Sequence, residues 1–463
     1  MFSRDTYIAR RKSLKTHVHQ GIIFFPGNGE SGMNYKDNWY PFRQDSTFLY
    51  YTGINNIPDI CFIIDVDNDE EILFGDDPTP EEMVWTGAVE PLTDFAEKSG
   101  IARVRPLKEL PEFLKTRKKR GQKIHYLPPY RGDTSIQVGK LLEIPIHKVE
   151  ENKSEVFIKA VVKQRSIKST EEIAELDKAV NITAQMHLHA IKNAVPGRSE
   201  KEIAGELQAI AVAGGGNIAF PIILSKNGQY LHNHATQAII QEGDIILCDC
   251  GAETSMNYAG DMTRTFPAGK SFYPLQKEVY NIVLNAHNTA IEALKPGVLF
   301  KDVHLLACTK IAQGLKDMGL MKGDMNEAVA NGAHTLFFQC GLGHFMGMDV
   351  HDMENLGENY VGYNDEVRKS NQFGLKSLRL GKALEQGNVL TVEPGIYFNP
   401  FLIDSWEAQK KHVEFVNYDE VKKFKNFGGI RVEEDFLITA SESRLLGKPL
   451  AKSPEDIEKL KSL

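Results

Sequence analysis

Cysteine is scarce: there are five in 463 residues, an odd number with no Cys-x-x-Cys pair. Cys61, Cys248, Cys250, Cys308 and Cys340 therefore read as free thiols in a reducing cytoplasm, not as a disulfide framework. Long apolar runs are also missing. No stretch approaches the roughly 20 residues a bilayer span needs, and the first residues, Met1 to Lys12, lack the apolar core of a signal peptide. A cytoplasmic, soluble protein without a membrane partner is expected. No block of Lys and Arg marks a nucleic-acid footprint; the densest stretch, Lys115 to Lys123, reads as a solvated helix end. Low-complexity tracts and fixed-period repeats are absent.

What is present is globular, with 42% apolar residues, 25% charged residues and a modest net charge of −8. The length exceeds one ordinary core, so two domains are the default. Up to residue 150, short apolar runs alternate with polar breaks. Gly21–Pro26, Thr47–Thr52, Ile60–Asp65 and Glu71–Phe74 read as strands, with helices near 3–19, 92–99 and 108–119. Trp85, in Trp-Thr-Gly, reads as a core residue. Ser169-Thr-Glu-Glu172 is a capping box that opens a helix. The boundary is placed before it, giving domains 1–165 and 166–463. Further helices are expected at Ser199–Ala213, Pro274–Leu294 and Phe300–Met318, and strands at Val389–Tyr397 and Gly429–Thr439. The fold class is α/β.

The chemistry centres on residues 245–266, two apolar runs around a small polar connector, which read as an antiparallel hairpin. Asp249 and Asp261 interrupt these runs. An acid buried in an apolar strand is costly unless a positive charge compensates it. Two readings stay open, an exposed strand face and a cation held between the acids. Three later landmarks add candidates: His344 in a Gly-rich turn, Glu393 before a Pro, and Glu433 in a strand where Arg431 and Asp435 share its face. Four carboxylates converging without cations would repel strongly. Two divalent ions offset their charge, and oxygen-rich ligation with one imidazole suits Mn²⁺, Co²⁺, Zn²⁺ or Fe²⁺. Such a pair, about 3.5–4 Å apart, serves hydrolysis.

The stretches Asp249-Cys-Gly-Ala-Glu, Ala-Gly-Asp261-Met-Thr-Arg-Thr-Phe, Gly343-His344-Phe-Met-Gly-Met-Asp-Val-His351-Asp, Val392-Glu393-Pro-Gly and Arg431-Val-Glu433-Glu-Asp resemble the motifs of the pita-bread metallopeptidases (family M24). The resemblance is to their proline-specific branch, aminopeptidase P and prolidase. Tyr40 to Gly53 resembles the N-terminal domain of that branch. The resemblance implies a catalytic domain with a curved, mostly antiparallel sheet covered by helices, behind a smaller aminopeptidase P-like α/β domain. It implies two divalent ions, Mn²⁺ foremost, with Asp249 on one, His344 and Glu393 on the other, and Asp261 and Glu433 bridging. A metal-bridged hydroxide would be the nucleophile and Glu393 its proton acceptor. His232 matches a strand His that contacts substrate, and His351 matches one that bonds the scissile carbonyl oxygen. Arg431 would orient Glu433. His234 reads as a surface residue, and His187 and His189 as structural.

Three departures from the family pattern stand out. Asp249 and Asp261 are 12 residues apart where 11 is usual, which predicts a bulge or longer bend in the hairpin. Cys340 stands where a His is common, and a thiol cannot replace imidazole as a donor to substrate. Phe220 is the nearest residue to a family aromatic and lacks its hydroxyl. Short proline-containing peptides are the implied substrates, and a homodimer or homotetramer the implied assembly. Phe373 to Arg379 resembles the prolidase segment whose Arg clamps a dipeptide's C-terminal carboxylate, a task suited to its planar fork. The reading is an Xaa-Pro dipeptidase. The alternatives are an Xaa-Pro aminopeptidase on longer peptides and a non-catalytic pita-bread module that binds protein.

Overall fold

The structure is a computed structural model that describes residues 1–462. It divides into two compact units, one made of Met1–Arg165 with Met353–Tyr360, the other of Ser166–Asp352 with Val361 onward.

In the first unit, β1 (Ile22–Pro26), β2 (Cys61–Asp65) and β3 (Glu70–Phe74) pair antiparallel. β4 (Arg103–Arg105) and β5 (Ile124–His125) add parallel edges, in the order β4-β3-β2-β1-β5. Strand period two sorts the side chains. Ile22, Phe24, Cys61, Ile63, Ile72 and Phe74 share a core with Phe113, Leu114, Val138 and Leu142 of two helices. On the other face, Phe25 packs on Tyr51 and on Phe157, with ring centroids 5.2 Å away in each case. Two expectations fail here. Ser46–Thr52 is a helix, not a strand, because the Asp45 side chain caps its start and Gly53, at φ 73°, ends it. Trp85 is not in the core: it is 88% exposed, on the helix Pro80–Thr86 that buries none of its residues.

The second unit opens with the expected capping box at Ser169, before the helix Thr170–Asn193, and a second box at Ser199 opens the expected helix Glu200–Ala213. A second helix pair, Pro274–Ala293 and Phe300–Asp317, follows the same plan. Both pairs are joined by a Pro-Gly turn whose glycine, Gly197 or Gly297, has φ near +90°. Each glycine N–H bonds a carbonyl far along the chain, that of Ile240 or Leu384. This duplication carries too few shared side chains to register as a sequence repeat.

The sheet is built of short antiparallel pieces: β6 (Ile223–Ser225), β7 (Ile245–Cys250) and β8 (Met262–Pro267); β9 (Val389–Val392) with β12 (Glu434–Ile438) and β13 (Ser443–Leu445); and β10 (Gly395–Tyr397) with β11 (Gly429–Arg431). Single bridges, Thr263↔Glu433 and Phe345↔Leu390, link further segments. The two C-terminal strand candidates are therefore each broken, one at Glu393-Pro394 and the other at Val432-Glu433. The predicted hairpin bulge is absent. The ladder runs from Ile245↔Pro267 to Cys250↔Met262, and the separate bridge Glu253↔Ala259 keeps the same register. Thr254 N–H then bonds Tyr258 O, and Asn257, at φ 60°, takes the tight position of the tip. The extra residue is absorbed by the tip.

Arg264 secures these pieces. Its guanidinium is fully buried and bonds Glu434 at 2.7 Å and the Glu433 carbonyl at 2.8 Å. Removing one partner of a buried pair leaves the other charge uncompensated, so Arg264→Ala is expected to cost about 3–5 kcal/mol. The loss should appear as a lowered urea midpoint for the second unit; an unchanged midpoint would refute it.

Candidate metal centre

All nine residues singled out from the sequence line one open cavity of about 390 Å³: His232, Asp249, Asp261, His344, His351, Arg379, Glu393, Arg431 and Glu433. The backbone explains much of this convergence. Asp249 lies within the hairpin's first arm, one residue before its end, and Asp261 lies one residue before the second, on the side that Thr263 shares. Glu393 follows β9 and Glu433 precedes β12, so three of the four acids stand where a strand begins or ends. Gly343 lets the chain pass close to β9, since a Cβ there would lie 2.0 Å from the Thr391 carbonyl oxygen. His344 is locked in register by mutual bonds with Thr391.

The imidazole of His344 is set for ligation. Its Nδ1 donates to the Phe345 carbonyl at 3.0 Å, which leaves the Nε2 lone pair facing inward. Nε2 lies 3.4 Å from Asp261 Oδ2 and 3.6 Å from Glu393 Oε1. Asp261, His344 and Glu433 each offer an atom within 4.8 Å of the others. Asp249, Asp261 and Glu433 are 8%, 5% and 2% exposed. Oδ1 of Asp249 and Oδ1 of Asp261 are buried without a hydrogen-bond partner. Orphaned carboxylate oxygens around a free imidazole nitrogen are the donor set a divalent cation requires. The residues fit the metal.

Electrostatics tell the same story. Burial, opposed by Arg431 and reinforced by Asp261 and Glu393, pushes the Asp249 pKa up to about 7. Burial and the neighbouring acids raise Glu433 well above its usual range. Glu393 is raised by burial, against the pull of His344 and Arg431. Burial disfavours the His344 cation, yet Asp261 and Glu393 hold its pKa above the ordinary value. Burial and the charges of Arg431 and Arg379 lower that of His232.

Several placements differ from expectation. His232 lies in a turn, not a strand, and both it and His234 are exposed on the cavity wall. Arg431 does not meet Glu433 directly. Its guanidinium bonds Asp249 and reaches Glu433 through Thr263, whose hydroxyl accepts from Arg431 Nε at 3.0 Å and donates to Glu433 at 2.6 Å. Thr263 and Tyr397, the latter bonded to Arg431 at 3.0 Å, were missed. Asp435, placed on the face of Glu433 by alternation but given no role, accepts from the Asp261 backbone N–H at 3.1 Å. Alternation from Asp261 could have pointed to Thr263; nothing local marks Tyr397. His351 stacks edge-on to His344, centroids 4.3 Å apart. His187 and His189 are structural, bonding Met262 O and Glu206 respectively.

Short antiparallel strands beside paired helices, with four acids and the imidazole of His344 converging in one cavity, define a metallohydrolase. The sequence profile of Metallopeptidase family M24 matches residues 174–440, and that of the aminopeptidase P N-terminal domain matches residues 7–125. The chain belongs to metallopeptidase family M24 and has its pita-bread fold. It is 32% identical over 453 residues to the Xaa-Pro dipeptidase of Homo sapiens, covering 95% of this chain and 89% of that one. It is 30% identical over 450 residues to a probable Xaa-Pro aminopeptidase of Sordaria macrospora, covering 95% and 91%. Zn-substituted aminopeptidase P of Escherichia coli in complex with product superposes with a TM-score of 0.80 at 28% identity, covering 100% of this chain and 98% of that one. Among the described residues, no helix is long and apolar enough to cross a membrane.

A raised carboxyl pKa means the folded state binds the proton more tightly. The metal-free protein is thus stabilised by these groups at low pH and loses that contribution as pH rises from about 4 to about 7. Mn²⁺ competes with those protons. In thermal unfolding of the chelated protein, added Mn²⁺ is expected to raise Tm more at about pH 8 than at about pH 5. An equal rise at both would contradict the assignment.

Proposed function

We propose that the protein hydrolyses the Xaa-Pro bond of dipeptides, using two divalent cations, Mn²⁺ foremost, held by Asp249, Asp261, His344, Glu393 and Glu433. The observation that carries the dipeptidase reading is Arg379. It lies in the wall of the same cavity as His351 and Glu393, and its charge is felt at both His232 and Glu393. A guanidinium at that position suits the free carboxylate of a C-terminal proline.

When bound, the cations lower the pKa of water and withdraw charge from the substrate carbonyl. The residues do the rest. Asp249 takes one cation, with one oxygen fixed by Arg431 and the other free. Asp261 and Glu433 would serve both cations, and His344 and Glu393 would complete the second. Glu393 accepts the proton of the attacking water and passes it to the departing prolyl nitrogen, a role that a raised carboxyl pKa suits. His351 donates to the scissile carbonyl oxygen as charge develops there. His232, whose lowered pKa keeps it neutral, contacts the substrate. Arg379 sets the length of peptide accepted. A cytoplasmic location and a homo-oligomer complete the proposal; exposed Trp85 is available to a second copy.

A second reading, an Xaa-Pro aminopeptidase acting on longer peptides, is favoured by the likeness to the Sordaria probable Xaa-Pro aminopeptidase and the Escherichia coli aminopeptidase P. Rates on Gly-Pro, Ala-Pro and Ala-Pro-Ala separate the two: dipeptides should be preferred, and preference for the tripeptide would support the aminopeptidase. Arg379→Ala should raise KM for Ala-Pro roughly 10–100-fold, from loss of a charge-assisted bond, with little change for Ala-Pro-Ala. Glu393→Gln should lower kcat on both by roughly 10²–10⁴-fold. Chelation should abolish activity and Mn²⁺ restore it; activity that survives complete metal removal would refute the metallopeptidase mechanism.

A further inference from the structure

A second set of metal-type donors lies on the buried side of the helix Phe300–Asp317. His304 and Cys308 stand one turn apart on that helix, and His334 comes from the short turn Ala333–Leu336. Their exposures are 1%, 0% and 3%, and none of them lines the cavity around Glu393. One donor atom from each lies within 4.8 Å of the other two. Cys308 Sγ is 3.4 Å from His304 Nε2. A sulfur and a nitrogen bound tetrahedrally at ordinary zinc distances stand about 3.6 Å apart. His334 Nδ1 is buried with no hydrogen-bond partner, which is costly unless a ligand engages it. Burial holds both imidazoles neutral, pulling His304 down to about 3 and His334 to about 4, and the neutral ring is the form that ligates.

A second buried cluster, His187 with Cys248 and Cys250, is less suited. His187 Nε2 is 3.5 Å from Cys250 Sγ but donates to the Met262 carbonyl oxygen at 2.8 Å, so the nitrogen facing that thiol carries the proton and the lone pair sits on Nδ1, on the other side of the ring.

We propose that His304, Cys308 and His334 form a structural site for a soft closed-shell cation, Zn²⁺ or Cu⁺, separate from the catalytic pair. Binding releases the Cys308 proton, and the cation then holds one thiolate and two neutral imidazoles. It clamps the helix to the turn from which the chain runs through Cys340 to His344 in the cavity wall. The test is elemental analysis of the full-length protein, grown with both zinc and copper and dialysed against EDTA. Wild type should retain about one equivalent of zinc or copper per chain. Zinc retention identifies a divalent site; copper retention identifies a charge-neutral one. Cys308→Ser and His334→Gln should each lower retention at least about tenfold, while Cys250→Ser keeps it. His334→Gln leaves the thiol intact and decides the matter alone if Cys308→Ser does not fold. Negligible retention in wild type, retention unchanged in the folded variants, or retention lost only in Cys250→Ser would overturn the proposal.

Discussion

Everything in the second unit is arranged around the problem of keeping several carboxylates buried together. Asp249, Asp261 and Glu433 are each less than a tenth exposed, and each negative charge makes the next harder to ionise. Arg431 is set directly against Asp249, and the imidazole of His344 faces Asp261. One guanidinium and one imidazole do not balance this many acids. Bound divalent cations supply the remaining compensation, which accounts for the orphaned oxygens of Asp249 and Asp261. Arg431 and the metals then have different tasks. The guanidinium, tied to Thr263 and Tyr397, fixes one oxygen of Asp249. The unpaired oxygens are left for ligation.

That demand explains why the sheet is made of short pieces. A continuous strand alternates its side chains regularly between two faces. Ending β9 at Val392 and restarting at Gly395 frees Glu393 from that alternation, and the break before β12 does the same for Glu433. Arg264 offsets the weakness at the second break by bonding the Glu433 carbonyl while pairing with Glu434, and Lys452 shares Glu434 at 2.9 Å. Function is placed at the interruptions, and buried ionic bonds on the opposite face hold those interruptions closed.

The legible part of the molecule was the part that local chemistry dictates. The capping box at Ser169 marked one helix start, and apolar periodicity found β1, β2 and β3. The acids at 249, 261, 393 and 433 and the imidazole of His344 stood out because such groups are expensive in apolar surroundings. What misled was chemistry decided by a neighbour in space or by a cap read too lightly. Thr47–Thr52 has strand-like composition, but Asp45 and Gly53 bracket a helix. Trp85 has core-like composition, but its short helix packs nothing. The spacing between Asp249 and Asp261 left a bulge and a longer bend both open, because spacing alone cannot show whether an extra residue lies in the ladder or at the tip; the tip takes it. Tyr397 could not be found locally at all, since its role arises from a guanidinium 34 residues away.

The same geometry limits what Cys340 can change. Its thiol lines the cavity and lies 4.0 Å from the Tyr397 hydroxyl, and burial pushes its pKa up to about 12. It is therefore a neutral, weakly hydrogen-bonding surface. It is neither a nucleophile nor a competing ligand for the catalytic cations. His232, His351 and Arg379 stand on other parts of the same wall. The metal ligands depend on Arg431, Thr263 and Thr391, none of which is bonded to Cys340. Replacing an imidazole with a thiol at this position acts on how a peptide is held, and leaves the means of holding the cations intact.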